Sequence, residues 1–295
     1  MNIIKNKKYF LGFSGTVVVL SIVAMAIFGF KTGIDFEGGT LWQIKGDIAV
    51  PQLQLFFENN LNVKNITVYP EPSSQSFLVR SNDISEAKHQ EYLTALKSNF
   101  KNIEELRFES VGPTIGKELK TNAYEAIVLV LLGISIYVAY AFRKVSFPVK
   151  SWKYGVITLI TLFHDVIIPA GLLAVLGTKF GIEMDTNFIV ALLVVMGFSV
   201  HDTIVVFDRI RENLTLSRGK VDFDEVVDKS INQTMARSIN TSLTLVLVLV
   251  ALFVFGPVSL KYFILTILVG TVFGTYSSIF IASPLLTIWN KFSRV

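Results

Sequence analysis

Six long apolar runs constrain the fold of this chain more than any other feature of its sequence. A helix that crosses a bilayer needs about 20 mostly apolar residues, and each run is near that length or longer. Their approximate limits are Tyr9–Phe30, Ala123–Phe142, Tyr154–Leu176, Thr186–Phe207, Ile239–Phe255 and Tyr262–Trp289. With only 17% charged residues, against about 25% in soluble domains, the chain is predicted to be a polytopic α-helical membrane protein with six transmembrane helices.

Basic residues near the ends of these runs predict the orientation. They precede the first run, join the second and third, follow the fourth and end the chain: Lys5, Lys7, Lys8, Arg143, Lys144, Lys150, Lys153, Arg209, Arg211, Arg218, Lys220, Lys291 and Arg294. Because Lys and Arg stay on the cytoplasmic side, both termini are expected in the cytoplasm. The net charge of +4 is explained by topology and does not indicate nucleic-acid binding. The first run lacks a small-residue cleavage motif and is interpreted as a retained span.

The loop between the first two runs, residues 31–121, is long enough to form an extracytoplasmic domain. Strand patterns cover Gly39–Lys45, Asn65–Tyr69, Ser76–Arg80 and Glu105–Val111, and helical patterns cover Val50–Asn60 and Ile84–Phe100. The order β-α-β-β-α-β is that of a ferredoxin-like α+β domain. Pro70 and Pro72 are expected in the turn between the second and third strands. His89 is interpreted as a solvated histidine, because no nucleophile or ligand set accompanies it.

A cytoplasmic amphipathic segment, residues 209–237, is predicted between the fourth and fifth runs. Asp222 and Glu225 have the spacing of a capping box, and apolar residues follow at helical spacing. The apolar run after them is short, so this helix is expected to continue into the fifth span. The predicted organisation is therefore residues 1–30 with the first span, the domain 31–121, and a five-helix bundle over 122–295.

Asp202, inside the fourth run, is the main candidate for chemistry. A carboxylate near the bilayer centre costs roughly 2.5–3.5 kcal/mol on insertion scales and usually faces a partner or a pathway. Arg237 is expected near the same depth on the fifth span, on a polar stripe with Asn240, Thr241 and Thr244. A guanidinium lowers the pKa of a carboxyl and burial raises it, so an Asp202–Arg237 pair could take up and release protons. Simple interhelical hydrogen bonding is the alternative that stays open.

Two other patterns point to contacts between helices. His164 and Asp165 lie at the middle of the third run, and because neighbours on a helix point about 100° apart, they are expected to face different helices, as a packing pair or as a proton relay. Gly270, Gly274, Ser278 and Ala282 form a small-residue seam that faces either the bundle or a partner subunit.

The sequence argues against catalytic and metal sites. Ser199, His201 and Asp202 are spaced by two and three on one helix, so they cannot converge as a serine-protease triad. There is no P-loop and no H-E-x-x-H motif, and no cysteine for a thiolate metal site. No cofactor, metal or enzymatic activity is therefore expected.

Five motifs, taken in order, resemble the SecF branch of the SecD/SecF family. They are G-I-D-F-x-G-G at residues 33–39, V-G-P-x-x-G-x-E-L at 111–119, the pair His164–Asp165, the run from Asp202 to Asn213, and an arginine-containing stretch at 230–242. The residues that carry the first and fourth motifs include Gly33, Asp35, Phe36, Gly38, Gly39, Asp208 and Arg209. Two positions depart from the family pattern: His201 replaces the usual asparagine and could add a titrating group, and Ser238 replaces the more usual threonine.

The resemblance implies one half of a proton-driven transporter of the resistance-nodulation-division superfamily. Such a subunit pairs with SecD and uses the proton motive force to promote preprotein translocation across the bacterial cytoplasmic (inner) membrane. It implies SecD, the SecYEG translocon, YajC, YidC and a translocating preprotein as partners in the lipid bilayer. Asp202 and Arg237 match the essential aspartate and arginine of the family, and His201, His164 and Asp165 are further proton-transfer candidates.

Two alternatives remain at this point. A proton-driven small-molecule exporter of the same superfamily would typically carry both halves in one chain, so copurification of a second, different subunit separates the two functions. The extracytoplasmic domain is expected to be a docking platform, with direct preprotein binding as the other possibility.

Overall fold

The structure, a computed structural model, describes residues 2–71, 75–143, 149–217 and 220–292. Pro72, Lys144, Arg218 and Arg294, which the sequence interpretation uses, lie outside the described residues. The chain divides into two compact units: residues 1–31 with 125–295 form the larger unit, and residues 32–124 form the smaller one.

The elements follow one another along the described chain as ten α-helices and four strands. The helices are α1 Lys7–Phe28, α2 Ile34–Glu37, α3 Val50–Leu55, α4 Glu86–Asn99, α5 Pro113–Ala141, α6 Ser151–Phe180, α7 Thr186–Ser217, α8 Phe223–Phe255, α9 Lys261–Ser277 and α10 Ser283–Phe292. The strands are β1 Gly39–Lys45, β2 Thr67–Glu71, β3 Ser76–Ser81 and β4 Glu104–Val111. A π-helical turn, Phe56–Asn60, follows α3, and a second one, Ser278–Ala282, joins α9 to α10.

Six helices are long and apolar enough to cross a membrane: α1, α5, α6, α7, α8 and the composite helix Lys261–Lys291. The prediction of a polytopic helical membrane protein is therefore confirmed. Buried residues make up 56%, 50% and 56% of the most apolar window in α6, α7 and the composite helix, but 17% or less in the other three. These three helices consequently form the centre of the bundle, and any polar residue on their inner faces is removed from both water and lipid.

Aromatic side chains fill the core where α6 begins and α7 approaches its end. The rings of Phe142 and Tyr154 stack 5.0 Å apart, and Phe207 packs edge-on to both. Burying a large apolar side chain contributes about 1.5–3 kcal/mol, so these rings hold the helices together at this depth. Ile3 is buried in the same cluster, and its backbone N–H donates to the Asp228 carboxylate at 2.8 Å.

Helix α8 begins where the capping signal predicts. Asp222 is its N-cap, and the carboxylate accepts a hydrogen bond from the backbone N–H of Asp224 at 3.1 Å. Val226 and Val227 are buried against the bundle. The helix then runs without a break to Phe255, so the amphipathic segment does continue into the fifth long helix, as expected.

The smaller unit contains one antiparallel sheet with the strand order β2-β3-β1-β4. Its elements follow the predicted β-α-β-β-α-β order, as β1-α3-β2-β3-α4-β4. Alternation along β1 sends Trp42 and Ile44 to the helix-covered face, where they meet Leu53, Phe57 and Leu96, all fully buried.

The sequence places Pro70 in a turn, and this is wrong. Pro70 lies inside β2 and pairs with Phe77 of β3. The residue is tolerated because β2 is an edge strand, where a missing backbone N–H need not interrupt the ladder.

Candidate proton-transfer site

Two carboxylates are buried near the midpoints of α6 and α7. Asp165 is 0% exposed and Asp202 is 6% exposed. A buried carboxylate without partners is strongly unfavourable, so each needs hydrogen-bond donors inside the bundle. The donors are four serine hydroxyls and one imidazole.

Asp202 accepts hydrogen bonds from two serines on neighbouring helices. Ser238 of α8 donates to Oδ1 at 2.6 Å, and Ser278 of the π-helical turn donates to Oδ2. The hypothesised pair with Arg237 is not formed: Arg237 is exposed and makes no hydrogen bond or ion pair with the described residues. Since Ser238 occupies the inward position on α8, the residue before it points about 100° away.

Asp165 collects three donors from three helices. Its neighbour His164 is bonded through Nδ1 to Oδ1 at 2.7 Å, Ser277 donates to Oδ2 at 2.7 Å, and Ser199 of α7 donates to Oδ2. The expectation that His164 and Asp165 face different helices is wrong, because both reach α9: the His164 ring meets Phe273 at 6.1 Å, and Asp165 accepts from Ser277. His164 Nε2 is buried and has no hydrogen-bond partner among the described residues.

His201 lies on the outside of the helix that carries Asp202. Its side chain is exposed and has no hydrogen bond or ion pair within the described ranges. Ser199 donates to Asp165 of α6, so Ser199 and His201 do not meet. This agrees with the argument from spacing against a serine-protease triad. The polar stripe of Asn240, Thr241 and Thr244 is likewise on the exposed side of α8.

The small-residue seam packs inside the bundle, against α7. A Cβ at Gly270 would lie 2.3 Å from Cγ2 of Val195, and a Cβ at Gly274 would lie 3.3 Å from Cβ of Ser199. One turn further along, Ser278 reaches Asp202. The seam thus brings α9 close enough to α7 for a short serine side chain to reach the carboxylate, which resolves the open choice in favour of the bundle.

Sequence reasoning missed the serines that bind the two carboxylates. In the sequence Ser238 stands out only as a family departure, Ser278 only as a small residue and Ser199 only as a member of the rejected triad. Serine is common at helix contacts in membranes, so its presence in an apolar run is a weak signal. One of these serines could be predicted from its position, because Ser278 lies four residues after Gly274 and therefore on the same face of the helix.

His89 of the smaller unit is buried, not solvated. Its Nε2 lies 2.6 Å from Glu105 Oε2, its ring stacks on Phe108 at 3.6 Å, and the edge of Trp42 meets it at 4.9 Å. Trp42 Nε1 donates to the same Glu105 oxygen at 2.8 Å. His89 therefore belongs to the core of the smaller unit, and the expectation of a solvated histidine is wrong.

A second carboxylate, Glu86, lies beside the His89 ring at the start of α4. Its oxygens are 3.3 and 3.4 Å from Nδ1. A hydrogen bond from the Gln90 amide at 2.7 Å, followed by the contact with His89, holds the pKa of Glu86 below its usual range. Both ring nitrogens of His89 therefore face carboxylates.

Comparison with known proteins places the whole chain in one family. A family model described as "Protein export membrane protein SecD/SecF, C-terminal" matches residues 91–292. A protein translocase subunit SecF from Thermobaculum terrenum is 42% identical over 99% of this chain and 94% of the relative. A SecF from Anaerolinea thermophila is 39% identical with the same coverage. The chain belongs to the SecD/SecF family.

A solved SecD/SecF structure also matches the fold. The crystal structure of SecDF, a translocon-associated membrane protein from Thermus thermophilus, superimposes with a TM-score of 0.83 at 34% identity, covering 99% of this chain and 39% of that chain. A structure of SecDF in a super-membrane-facing form gives a TM-score of 0.70. This chain therefore corresponds to about two fifths of a SecDF polypeptide.

The first SecD/SecF motif builds a tight turn into β1. Gly33 is the N-cap of α2, Asp35 lies within that helix, and Phe36 is buried. Gly38 and Gly39 have φ values of 79° and 120°, which side chains strongly disfavour. A Cβ at Gly39 would also lie 2.8 Å from the Ser81 carbonyl oxygen.

The second SecD/SecF motif packs directly against the first. A Cβ at Gly116 would lie 3.0 Å from the Gly38 nitrogen, and a Cβ at Gly38 would lie 3.0 Å from Cα of Pro113. Two motifs that are about 75 residues apart in the chain thus form one close backbone contact, which accounts for Gly38 and Gly116 without any chemistry.

Asp208 and Arg209 of the fourth motif lie nearer the end of α7 than the buried network. Asp208 pairs with Arg211 at 2.8 Å. Arg209 donates to Gln233 of α8 at 2.8 Å and to Glu212 at 2.6 Å. Arg209 therefore ties α7 to α8, and neither residue contacts Asp202.

Proposed function

We propose that this chain is a SecF-type subunit that uses the proton motive force to promote preprotein translocation. The observation that carries the proposal is the pair of buried carboxylates, Asp165 and Asp202, at the centre of a six-helix bundle whose relatives are named protein translocase subunits. Ionisable groups buried in membrane helices characteristically mark proton relays and ion pathways.

The second subunit of the proposed proton-driven transporter would be a SecD-type chain. The SecDF subunit of Thermus thermophilus is 36% identical over 94% of this chain, which covers only 37% of that protein. The exposed His201 and Arg237 are polar groups on membrane helices, where contact with lipid is costly, and this favours a second membrane subunit beside them. The SecYEG translocon, YajC, YidC and a preprotein are the further partners that this role implies.

Asp202 is the proposed proton carrier. In the charged state, hydrogen bonds from Ser238 and Ser278 stabilise the carboxylate oxygens. Arg237 is adjacent to Ser238 on α8, so its guanidinium could also pair with the carboxylate after a change of side-chain conformation. In the protonated state the carboxyl needs no cation. His164 and Asp165 would extend the relay, since the free Nε2 of His164 leaves one nitrogen for a proton or a water molecule.

We also propose the arrangement of the chain in the bacterial inner membrane. Residues 32–124 would form a ferredoxin-like extracytoplasmic domain between the first and second spans, acting as a docking platform. The strand order β2-β3-β1-β4 supports that fold. Both termini and the amphipathic start of α8 would be cytoplasmic, as the basic clusters favour.

The decisive experiment measures preprotein export with and without a proton gradient. Asp202→Asn keeps size and polarity but cannot titrate, so the gradient-dependent part of export should disappear while the complex assembles at normal abundance. Asp202→Glu keeps a titrating group displaced by about one methylene and should retain partial activity. Arg237→Lys keeps the charge but loses the planar two-donor geometry and should be impaired.

Glu212→Gln is the matched control for loss of a carboxylate. Glu212 lies on the same helix as Asp202, but it is exposed and pairs with Arg209. Its variant should respond to the gradient like wild type. If Asp202→Asn also responds like wild type, the carboxylate only joins helices, and the proton-transfer role is refuted.

A further inference from the structure

Two adjacent serines connect the two buried carboxylates. Ser277 Oγ donates to Asp165 Oδ2 at 2.7 Å, and Ser278 Oγ donates to Asp202 Oδ2. Both serines are 0% exposed. Because successive helical side chains point about 100° apart, one dipeptide can reach carboxylates that belong to two different helices, α6 and α7.

Each of these hydroxyls has a second acceptor within reach. Ser277 Oγ lies 3.0 Å from the carbonyl oxygen of Gly274, and Ser278 Oγ lies 3.0 Å from that of Thr275. A serine hydroxyl carries one proton and rotates to choose its acceptor. A charged carboxylate is the stronger acceptor, whereas a protonated carboxyl also donates and frees the hydroxyl proton for the carbonyl.

The backbone changes its helical form at this point. The π-helical turn Ser278–Ala282 begins at the second serine. Such turns are rare and concentrate at functional sites. The carbonyls of Gly274 and Thr275 lie in the turn that leads into it, so the acceptor chosen by each hydroxyl changes the hydrogen bonding of the backbone there.

We propose that Ser277 and Ser278 are positioning residues that read the protonation states of Asp165 and Asp202 and transmit them to the π-helical turn. This rests on the proposed function, because it requires Asp202 to take up protons. With both carboxylates charged, both hydroxyls donate to them. When a proton from the gradient binds Asp202, its O–H donates to Ser278 Oγ, and the serine proton turns to the Thr275 carbonyl. Ser277 responds in the same way to Asp165, with Gly274 as its second acceptor.

The test compares the pH dependence of gradient-driven export in Ser277→Ala, Ser278→Ala and the double variant, at equal abundance of the complex. A carboxylate that loses a hydroxyl donor keeps its proton to higher pH, so each single variant should move the midpoint upward by about one pH unit. The double variant should lose most of the gradient response, because neither protonation state then reaches the backbone.

Ser283→Ala is the matched control. Ser283 lies on the same composite helix, is fully buried, and its hydroxyl has no hydrogen-bond partner among the described residues. It should keep the wild-type midpoint. Wild-type profiles in all three test variants, combined with loss of response in Asp202→Asn, would overturn the serine proposal and leave the proposed function standing.

The failure of the proposed function gives a different pattern, because Asp202→Asn then retains the gradient response. Should the alanine variants fail to assemble, Ser278→Cys provides the same test with a side chain of similar size and a weak donor. An upward shift of its midpoint supports the proposal, and an unchanged midpoint contradicts it.

Discussion

The imidazole of His89 is a structural part of the core of the smaller unit. In His89→Ala the ring stacked on Phe108 is lost, and within the described part of the chain Glu105 keeps only the Trp42 indole as a side-chain donor. We expect the free energy of unfolding to fall by about 3 kcal/mol, from the cavity and the lost hydrogen bond together. Urea unfolding of residues 32–124, followed by fluorescence of Trp42, the only tryptophan in that range, measures the change. The exposed neighbour Lys88→Ala should cost less than about 0.5 kcal/mol, and equal losses would contradict the core role.

Single residues differ in how far the sequence predicts their roles. Asp202 was predictable, because a carboxylate in an apolar run must be compensated wherever it lies. The partner of Asp202 was not, since spacing along α8 gives the relative directions of Arg237 and Ser238 but not which one faces inward. His89 was predictable in principle: it lies seven residues before the buried Leu96, on the same face of α4.

At the level of elements, Gly270 lets α9 pack closely against α7. In Gly270→Ala the added Cβ would meet Cγ2 of Val195 at 2.3 Å, so the helices must separate or shift. Overpacking of this kind costs typically 1–3 kcal/mol, and we expect the apparent melting temperature of the purified protein in detergent to fall by about 5 °C. Gly133→Ala on α5, where nothing lies within 4 Å of the added atom, is the control and should not lower it. A similar fall in both would show that the contact with Val195 is not the cause.

Helices and strands were predicted better than single-residue contacts or helix packing, because hydrophobic pattern and capping residues act locally in the sequence. Strand β1 has the predicted bounds, and the capping signal at Asp222 gives the start of α8. Pro70 misled the prediction of β2, since the sequence does not show which strands lie at the edge of the sheet. The π-helical turn Ser278–Ala282 was not predictable either, because one extra residue in a uniformly apolar run leaves the periodicity ambiguous.

For the whole molecule, the orientation in the membrane is directly testable because the chain has no cysteine. Ser98 of α4 and Thr215 of α7 are both exposed. With an impermeant thiol reagent, Ser98→Cys should react in intact spheroplasts, and Thr215→Cys should react only after the membrane is ruptured, because the positive-inside rule places them on opposite sides. Labelling in the reverse order would overturn the orientation.

The six spans were predictable from hydrophobic length, whereas their arrangement was not. All six runs are similarly apolar, yet α6, α7 and the composite helix are largely buried and α1, α5 and α8 are not. Lipid and protein interior are equally apolar, so hydropathy does not separate the two environments. The small-residue seam with Gly270 and Gly274 was the one sequence feature that indicated a close helix contact.

The π-helical turn also determines where the sixth span tolerates a change in length. Removing one residue from an α-helix rotates everything after it by about 100°. Within Ser278–Ala282 the extra residue is already accommodated as a bulge, so a deletion there would restore regular α-helix and leave Ser283–Phe292 in phase. The same deletion inside Lys261–Ser277 would turn the buried Leu286 away from the core. The sixth span can therefore lose one residue without rotating the helix that follows, and the place where it can do so lies at the depth of the two carboxylates.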